Sequence, residues 1–142
     1  MKHRLLRMFS YAWAAPASAL GLLVALVAVG SGAKVTIVDG VVEVAGTRLA
    51  RWLAHSARLA RFNAITLGHV VIGVSPAVLA HCRAHERVHV RQYENFGVFF
   101  FPLYAASSAL QWVRGRSPYW ENHFERQARR GSACACAVGR AP

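Results

Sequence analysis

The chain has 142 residues, of which 55% are hydrophobic and 16% charged, and its mean hydropathy is +0.28. An ordinary soluble domain has about 25% charged residues, so this composition excludes a disordered or fibrous chain, and the length favours one domain. Seventeen lysines and arginines against six acidic residues give a net charge of +11. Three cysteines are too few for a disulfide framework, which argues against a disulfide-stapled secreted fold.

An uncharged apolar segment begins close to the N-terminus. Residues 8–33 contain no charged side chain, and the basic residues Lys2, Arg4 and Arg7 precede them. A secretory signal peptide has the same order of features, but its apolar region usually covers about 7–15 residues, whereas a bilayer requires about 20. We therefore expect residues 1–33 to form a retained transmembrane anchor, with an uncleaved signal-like segment as the alternative.

The orientation of this anchor depends on the basic residues at its two ends. Lys34, Arg48 and Arg51 balance the three basic residues that precede the apolar segment. The N-terminal cluster is the tighter of the two and favours a cytoplasmic N-terminus. We therefore expect a single-pass protein of the cell membrane whose remaining residues are extracytoplasmic.

The next residues carry strand signals on both sides of a basic segment. Two β-branched runs flank Asp39-Gly40, a dipeptide typical of two-residue type I′ turns, and predict a β-hairpin over residues 34–46. Residues 64–73 are apolar and β-rich and predict one further strand. Arginines at 48, 51, 58 and 61 predict a basic amphipathic helix over residues 47–62. This helix either lies on anionic lipid headgroups or packs with a solvated arginine face.

Two Ser-Pro pairs predict the starts of two helices, since serine is a favourable N-cap and proline fits the first helical position. Ser75-Pro76, with Gly97 as the stop signal, predicts a helix over residues 76–95. Ser117-Pro118 predicts a second helix that continues to about Arg130. The small residues that follow predict a disordered tail over residues 131–142.

The first of these helices contains the sequence His85-Glu86-Arg87-Val88-His89. Histidines at positions i and i+4 project from one helical face and can share a metal ion, and the glutamate between them can act as a general base. Glu125, in the second helix, is the candidate third ligand. Two histidines and one carboxylate leave a coordination position open for water, which indicates catalysis; iron and manganese accept this donor set as well as zinc.

These motifs resemble those of known metal enzymes. Residues 65–128 resemble a minimal gluzincin-type zinc metallopeptidase core, and T-L-G-H-V-V-I-G, H-E-R-V-H-V-R-Q-Y-E and Y-W-E-N-H-F-E-R-Q-A resemble a group of small bacterial membrane-anchored proteins. The resemblance implies one Zn²⁺ per chain held by His85, His89 and Glu125, with Glu86 as the catalytic base. It also implies that the strand around residues 66–71 is an edge that can pair with an extended peptide substrate.

The chain departs from that pattern at several positions. Arg87 and Arg91 are charged where zincin helices usually carry uncharged residues, and His123 replaces the proline of the usual N-P-x-E motif. His123 and Glu121 are therefore rival third ligands. In addition, Gln92 and Tyr93 lie three and four positions beyond His89, where they could orient a substrate or stabilise an oxyanion.

A metal shared by both helices limits the path of residues 95–113, which carry no charged side chain. A complete membrane crossing there would place Glu125 on the opposite side from the histidines. We therefore expect a re-entrant or interfacial segment broken at Pro102. A soluble core element and a metal site within the membrane are the alternatives.

The sequence thus predicts an α+β chain with an anchor over residues 1–33, a zincin-like metal-binding domain over residues 34–130 and a tail over residues 131–142. Its expected function is a membrane-anchored zinc metallopeptidase that hydrolyses peptide bonds through a zinc-activated water. The expected partners are a peptide or protein substrate and the lipid bilayer, with no specific nucleic acid; no protein partner or oligomeric state is identified. Two alternatives stay open: a catalytically inactive metal-binding membrane protein with a structural or regulatory role, and a basic membrane-surface adaptor.

Overall fold

The computed structural model describes residues 2–46, 48 and 63–132, with side chains from residue 8 onward. In chain order the elements are helix α1 (Lys2–Gly30), strands β1 (Lys34–Val38), β2 (Val41–Ala45), β3 (Ala64–Leu67) and β4 (Val70–Gly73), helix α2 (Pro76–Phe96), a 3₁₀ turn (Gly97–Phe99), and helices α3 (Phe100–Val113) and α4 (His123–Gly131). This arrangement confirms the α+β class. Apart from Arg48, the helix predicted over residues 47–62 lies outside the described residues, as does the tail beyond Ser132.

The four strands form one sheet in the order β1-β2-β4-β3. β1 and β2 are antiparallel and joined at Asp39 and Gly40, whose φ angles of 47° and 79° are those of a type I′ turn. This confirms the predicted hairpin. β2 then pairs with β4 in parallel, with Val42 opposite Val70.

Residues 64–73 form a second hairpin rather than the single strand expected from the sequence. β3 and β4 pair antiparallel, with Leu67 opposite Val70, and Gly68 turns the chain at a φ of 60°. Glycine adopts this left-handed conformation without the steric cost of a side chain, so it can reverse an apolar run that otherwise reads as continuous. The turn leaves β3 at the edge of the sheet and places His69 at the tip of the hairpin.

Helix α1 packs along the sheet through small side chains. Ala25 and Ala28 lie in a core cluster with Val44, Val70 and Ile72. At Gly21 the approach is so close that an added Cβ would lie 2.8 Å from the carbonyl oxygen of Leu67. α1 is therefore part of the folded core.

Helix α2 confirms the predicted limits to within one residue. The hydroxyl of Ser75 accepts a hydrogen bond from the backbone N–H of Val78 at 3.2 Å, and Gly97 ends the helix with a φ of 54°. Its Leu79 and Val90 pack against Val71 of the sheet. α2 therefore lies against the sheet with its histidine face turned towards the remaining helices.

The segment after α2 bends at a different residue from the one expected. The chain changes direction at Gly97, whereas Pro102 lies in the first turn of α3. Backbone N–H groups in the first turn of a helix have no acceptor within that helix, so proline is tolerated there. The second Ser-Pro pair also does not start a helix. The Ser117 hydroxyl accepts a hydrogen bond from the N–H of Trp120 and closes a turn, and α4 begins at His123.

Two helical stretches, Met8–Gly30 and Pro76–Val113, are long and apolar enough to cross a membrane. This result follows from length and composition alone. The first stretch, which lies near the N-terminus, would also meet these criteria if it were a signal sequence. Only 22% of the apolar window in the first stretch and 17% of that in the second are buried within the structure.

The contact at Gly21 yields a stability prediction. We expect Gly21→Ala to lower the free energy of unfolding by about 1–3 kcal/mol, because the added Cβ would push α1 away from the backbone of β3 and from Val70. The measurement is thermal or urea unfolding in detergent, followed by circular dichroism. The matched control is Gly30→Ala in the same helix, where an added Cβ meets nothing within 4 Å; equal stability of the two variants would contradict the prediction.

Candidate metal centre

The centre begins with two histidines one turn apart on α2. The side chains of His85 and His89 are buried, and their rings meet edge to face with centroids 4.8 Å apart. Their Nε2 atoms lie 3.1 Å from each other. The Nε2 atoms of both rings therefore face the same position between the helices.

Glu125 of α4 completes this group from the opposite side. Its Oε2 lies 3.3 Å from Nε2 of His85 and its Oε1 lies 3.4 Å from Nε2 of His89. One donor atom from each of the three buried residues lies within 4.8 Å of the others, and this is the group among the described residues that could hold a metal ion. The structure thus brings together the three ligands expected from the sequence.

The spacing and chemistry of the donors fit a metal ion. Tetrahedral bonds of about 2.0–2.1 Å place neighbouring donor atoms about 3.3 Å apart, close to the separations found here. Glu125 Oε2 is buried and has no hydrogen-bond partner among the described residues. A carboxylate oxygen only accepts, so a cation between it and the imidazoles would satisfy it. The donor set itself does not distinguish zinc from iron or manganese.

Gln92 fixes the proton on His89. Its amide nitrogen donates to the carbonyl oxygen of Phe124 at 3.2 Å and to Oε1 of Gln127 at 2.8 Å, so its amide oxygen is the atom that faces His89. Nδ1 of His89 lies 2.8 Å from that oxygen and must therefore donate to it. In a neutral ring this leaves Nε2 with a free lone pair directed at the centre, as in other metal sites. Gln92 lies behind the histidine and does not line the cavity in front of it.

Asn122 sets the position of Glu125. Its side-chain oxygen accepts from the N–H of Phe124 at 2.9 Å, which caps α4. Its side-chain nitrogen donates to the Tyr104 carbonyl oxygen and to the Ser108 hydroxyl, at 3.0 and 2.7 Å. Asn122 therefore joins α3 to α4 and holds Glu125 in the first turn of α4, rather than two turns into a longer helix.

Neither rival ligand reaches the centre. His123 is exposed, and its backbone N–H donates to the Ser107 hydroxyl at 3.0 Å, a bond that the proline of the related motif could not make. Glu121 lies 3.7 Å from Arg126 in an exposed ion pair. The expectation that either residue is an alternative ligand is not supported by their positions.

The two unusual arginines lie away from the three donors. Arg87 donates a hydrogen bond to the carbonyl oxygen of Val38 and lies 3.7 Å from the Asp39 carboxylate, at the β1–β2 turn. Arg91 is exposed. These departures from the zincin pattern therefore occupy the part of α2 that faces the hairpin and solvent.

The charge on Glu125 is set by its neighbours. Burial alone would raise the pKa of this carboxyl, but hydrogen bonds from His85 and His89, which need a proton where a metal ion would lie, outweigh burial and hold the pKa well below its usual range. The Tyr104 hydroxyl donates to Glu125 Oε1 at 2.9 Å. Burial and the nearby carboxylate raise the pKa of Tyr119, so its hydroxyl also stays protonated and donates to Glu125. The carboxylate is therefore ionised and supported at neutral pH.

Glu86, the expected base, is oriented by the sheet. Its Oε2 accepts a hydrogen bond from the hydroxyl of Thr66 at 2.6 Å, and both side chains are buried. Thr66 belongs to β3, so the edge strand fixes the rotation of the carboxylate. Glu86 lines the same cavity as His85, His89 and Glu125.

That cavity has a volume of about 160 Å³ and lies between β3, α2 and α3. Aromatic side chains form much of its wall, and Tyr93 is one of them, packed on Phe100 with ring centroids 4.4 Å apart. Tyr93 therefore occupies a position from which it can contact a substrate, whereas its neighbour Gln92 does not.

The sequence did not predict four residues that lie at the centre: Thr66, Tyr104, Tyr119 and Asn122. The asparagine was detectable, because Asn before a helical segment is a favoured N-cap. Thr66 and Tyr104 reach the centre only through the folding of β3 and α3 onto α2, and no local pattern indicates this.

No family model, curated protein or solved structure matches this chain. The interpretation of the centre therefore depends on its own geometry.

Metal content tests the three ligands against their rivals. We expect one metal ion per chain after purification without chelators, with loss of the metal in His89→Ala and Glu125→Ala, because each removes a donor from the group. His123→Ala and Glu121→Gln serve as matched controls and should retain the metal. Mass spectrometry of the metal in detergent-purified protein is the measurement. Metal-free wild type, or loss in the controls, would contradict this assignment.

Proposed function

We propose that the protein is a membrane-associated zinc metallopeptidase of the gluzincin type, with His85, His89 and Glu125 as ligands and Glu86 as general base. The observation that carries this proposal is the position of Glu86. Its carboxylate is buried, is held by Thr66 through one oxygen only and lines the cavity into which the three donors face. A purely structural metal site would not need a second, separately oriented carboxylate beside the three donors.

The chemistry is divided between the metal and the chain. A zinc ion at this centre would polarise a carbonyl group and lower the pKa of a water molecule. Glu86 can accept the proton of that water through Oε1, because Thr66 occupies Oε2. The hydroxide left by this transfer would add to the carbonyl carbon of the peptide, and the same carboxyl would donate the proton to the leaving amine, so that the C–N bond breaks and a carboxylate and an amine form.

The sheet edge supports a peptide as the substrate. β3 is the outer strand beside β4, and all four of its residues line the cavity. An extended peptide can add to such an edge through backbone hydrogen bonds, which would place one of its carbonyl groups beside Glu86. The aromatic wall formed by Tyr93 and Phe100 favours an apolar side chain next to the bond that is cleaved.

The membrane association follows from the apolar length of α1. The packing of Ala25 and Ala28 in the core supports retention of α1 in the working protein. An extracytoplasmic metal domain, as the sequence led us to expect, requires in addition that α1 crosses the bilayer.

Replacing the base tests the proposed activity. We expect Glu86→Gln to keep the metal and lower kcat by about 10²–10⁴-fold, since the amide cannot accept the proton of the water. The assay is cleavage of a peptide library by wild-type and variant protein loaded with zinc, with Glu121→Gln as a control that removes a carboxylate away from the cavity. Full activity in Glu86→Gln would rule out this role. A zinc-loaded wild type that cleaves no peptide would favour the inactive metal-binding protein.

The role of Thr66 can be tested by replacing it with valine and comparing the effect with the same substitution at a second threonine. We expect Thr66→Val to lower kcat by about 10–100-fold with unchanged KM and metal content, because the carboxylate of Glu86 loses the bond that orients it. Thr36→Val in the exposed strand β1 is the matched control and should have no effect. A fall in metal content, or an equal effect of both substitutions, would contradict an orienting role.

A further inference from the structure

Helix α1 is in contact with the rest of the protein along most of its length. Near its start the Tyr11 hydroxyl donates to the Gly40 carbonyl oxygen at 3.4 Å, and near its end Ala28 packs in the core cluster of the sheet. At a rise of 1.5 Å per residue, the packed stretch between these two residues is about 26 Å long. The hydrocarbon core of a bilayer is about 30 Å thick. If α1 crossed the bilayer, the sheet beside it would lie within the hydrocarbon as well.

The sheet is unsuited to that environment. Among the described residues it is open, with β1 and β3 at its edges, and the backbone groups of an open edge find no partners in hydrocarbon. β1 itself carries Lys34 and is exposed over most of its length. Only helices and closed barrels satisfy their backbone within a membrane, so a transmembrane α1 with this sheet attached is unfavourable.

A polar network beside the middle of α1 leads to the same conclusion. The Ser18 hydroxyl accepts from the backbone N–H of His69 at 3.0 Å, and Nε2 of His69 lies 3.2 Å from the Glu94 carboxylate. Tyr11 stacks on the His69 ring with centroids 4.0 Å apart. Ser18 lies near the centre of the apolar stretch Met8–Gly30, and the Glu94 side chain is 30% exposed. A crossing helix would therefore carry this polar network, with its partly exposed carboxylate, into the bilayer beside residues 11–18, which is strongly unfavourable.

The outer side of α1 is nevertheless apolar. Phe9, Leu20 and Val27 are 80%, 55% and 64% exposed. This surface continues beyond α1, because Trp13 contacts Phe99 at a centroid distance of 6.2 Å, and Phe99 and Phe101 are exposed in turn. We call these six residues the apolar surface. Soluble monomers rarely expose large continuous apolar areas, so this one requires an apolar partner.

We infer that the apolar surface lies in one leaflet of a lipid bilayer, with α1 parallel to the membrane plane and both of its ends on the same side. This arrangement immerses the outer face of α1 and the aromatic residues after α2, while the open sheet and the network at His69 stay outside the hydrocarbon. The net charge of +11 and the basic residues at the start of α1 match an anionic headgroup layer. The inference does not depend on the proposed activity, since it uses only the packing and exposure of α1.

Cysteine labelling on the two sides of a membrane tests the position of the helix ends. Single cysteines are placed before and after the apolar stretch by His3→Cys and Lys34→Cys, in a chain with Cys134 and Cys136 replaced by serine and the buried Cys82 retained. A membrane-impermeant maleimide is applied to vesicles of known orientation. We expect both sites to react from the same side; reaction from opposite sides would overturn the inference. The chain without added cysteines supplies the blank.

A depth measurement does not depend on vesicle orientation. Phe9, Leu20 and Val27 are separated by 11 and 7 positions, spacings that return to the same face of a helix within about 20°. Each is replaced in turn by cysteine carrying a nitroxide, and its depth is measured by power saturation in vesicles that contain anionic lipid. We expect the same depth at all three positions. A label at Leu20 that lies deeper than the other two would show a crossing helix and overturn the inference.

The alternative to a lipid bilayer is that a second copy of the chain covers the apolar surface. In that case the protein would not float with the vesicles in a density gradient, and sedimentation equilibrium without lipid or detergent would show a soluble dimer. That result would also overturn the membrane assignment.

Discussion

The convergence of three buried proton acceptors is the constraint on which the rest of the structure depends. Two imidazole nitrogens and a carboxylate come within 3.4 Å of one another, which ionic and dipolar repulsion would oppose without a cation or protons between them. The fold meets this constraint by changing the direction of the chain at Gly97. α3 then leads away from the histidines and the turn after it returns α4, so that residues far apart in sequence share one site.

Helices hold the centre in place on one side, and an edge strand of the sheet does so on the other. Behind the three donors, Gln92 fixes the tautomer of His89 and Asn122 caps the helix that carries Glu125. In front of them, an edge strand rather than a helix orients the carboxylate of Glu86 through Thr66. If a peptide adds to β3 as proposed, the strand that orients Glu86 would couple peptide binding to the position of this carboxylate. The sheet is therefore a working part of the site as well as its scaffold.

Local signals allowed the sequence to predict elements that depend on a few adjacent residues. Asp39-Gly40 defines its turn, and Ser75 and Gly97 define α2, because each acts through its own backbone geometry. The turn at Gly68-His69 was not predicted, since the β-rich runs on both sides of this pair read as one strand. Ser117-Pro118 was misread because the same pair can close a turn or open a helix. Tyr104 and Thr66 reach the centre only through tertiary packing, which a single sequence does not encode in any local pattern.

Phe101 belongs to two surfaces at once. It lines the cavity of the metal centre, and 67% of its own surface is exposed as part of the apolar surface. On a membrane, a cavity with such a rim opens beside the acyl chains. A substrate of the proposed peptidase would then arrive by lateral diffusion within a thin layer, where tethering raises its effective concentration far above that in solution. Selectivity among proteins would in this way be governed by how deeply a cleavable segment sits in the bilayer, as much as by its side chains.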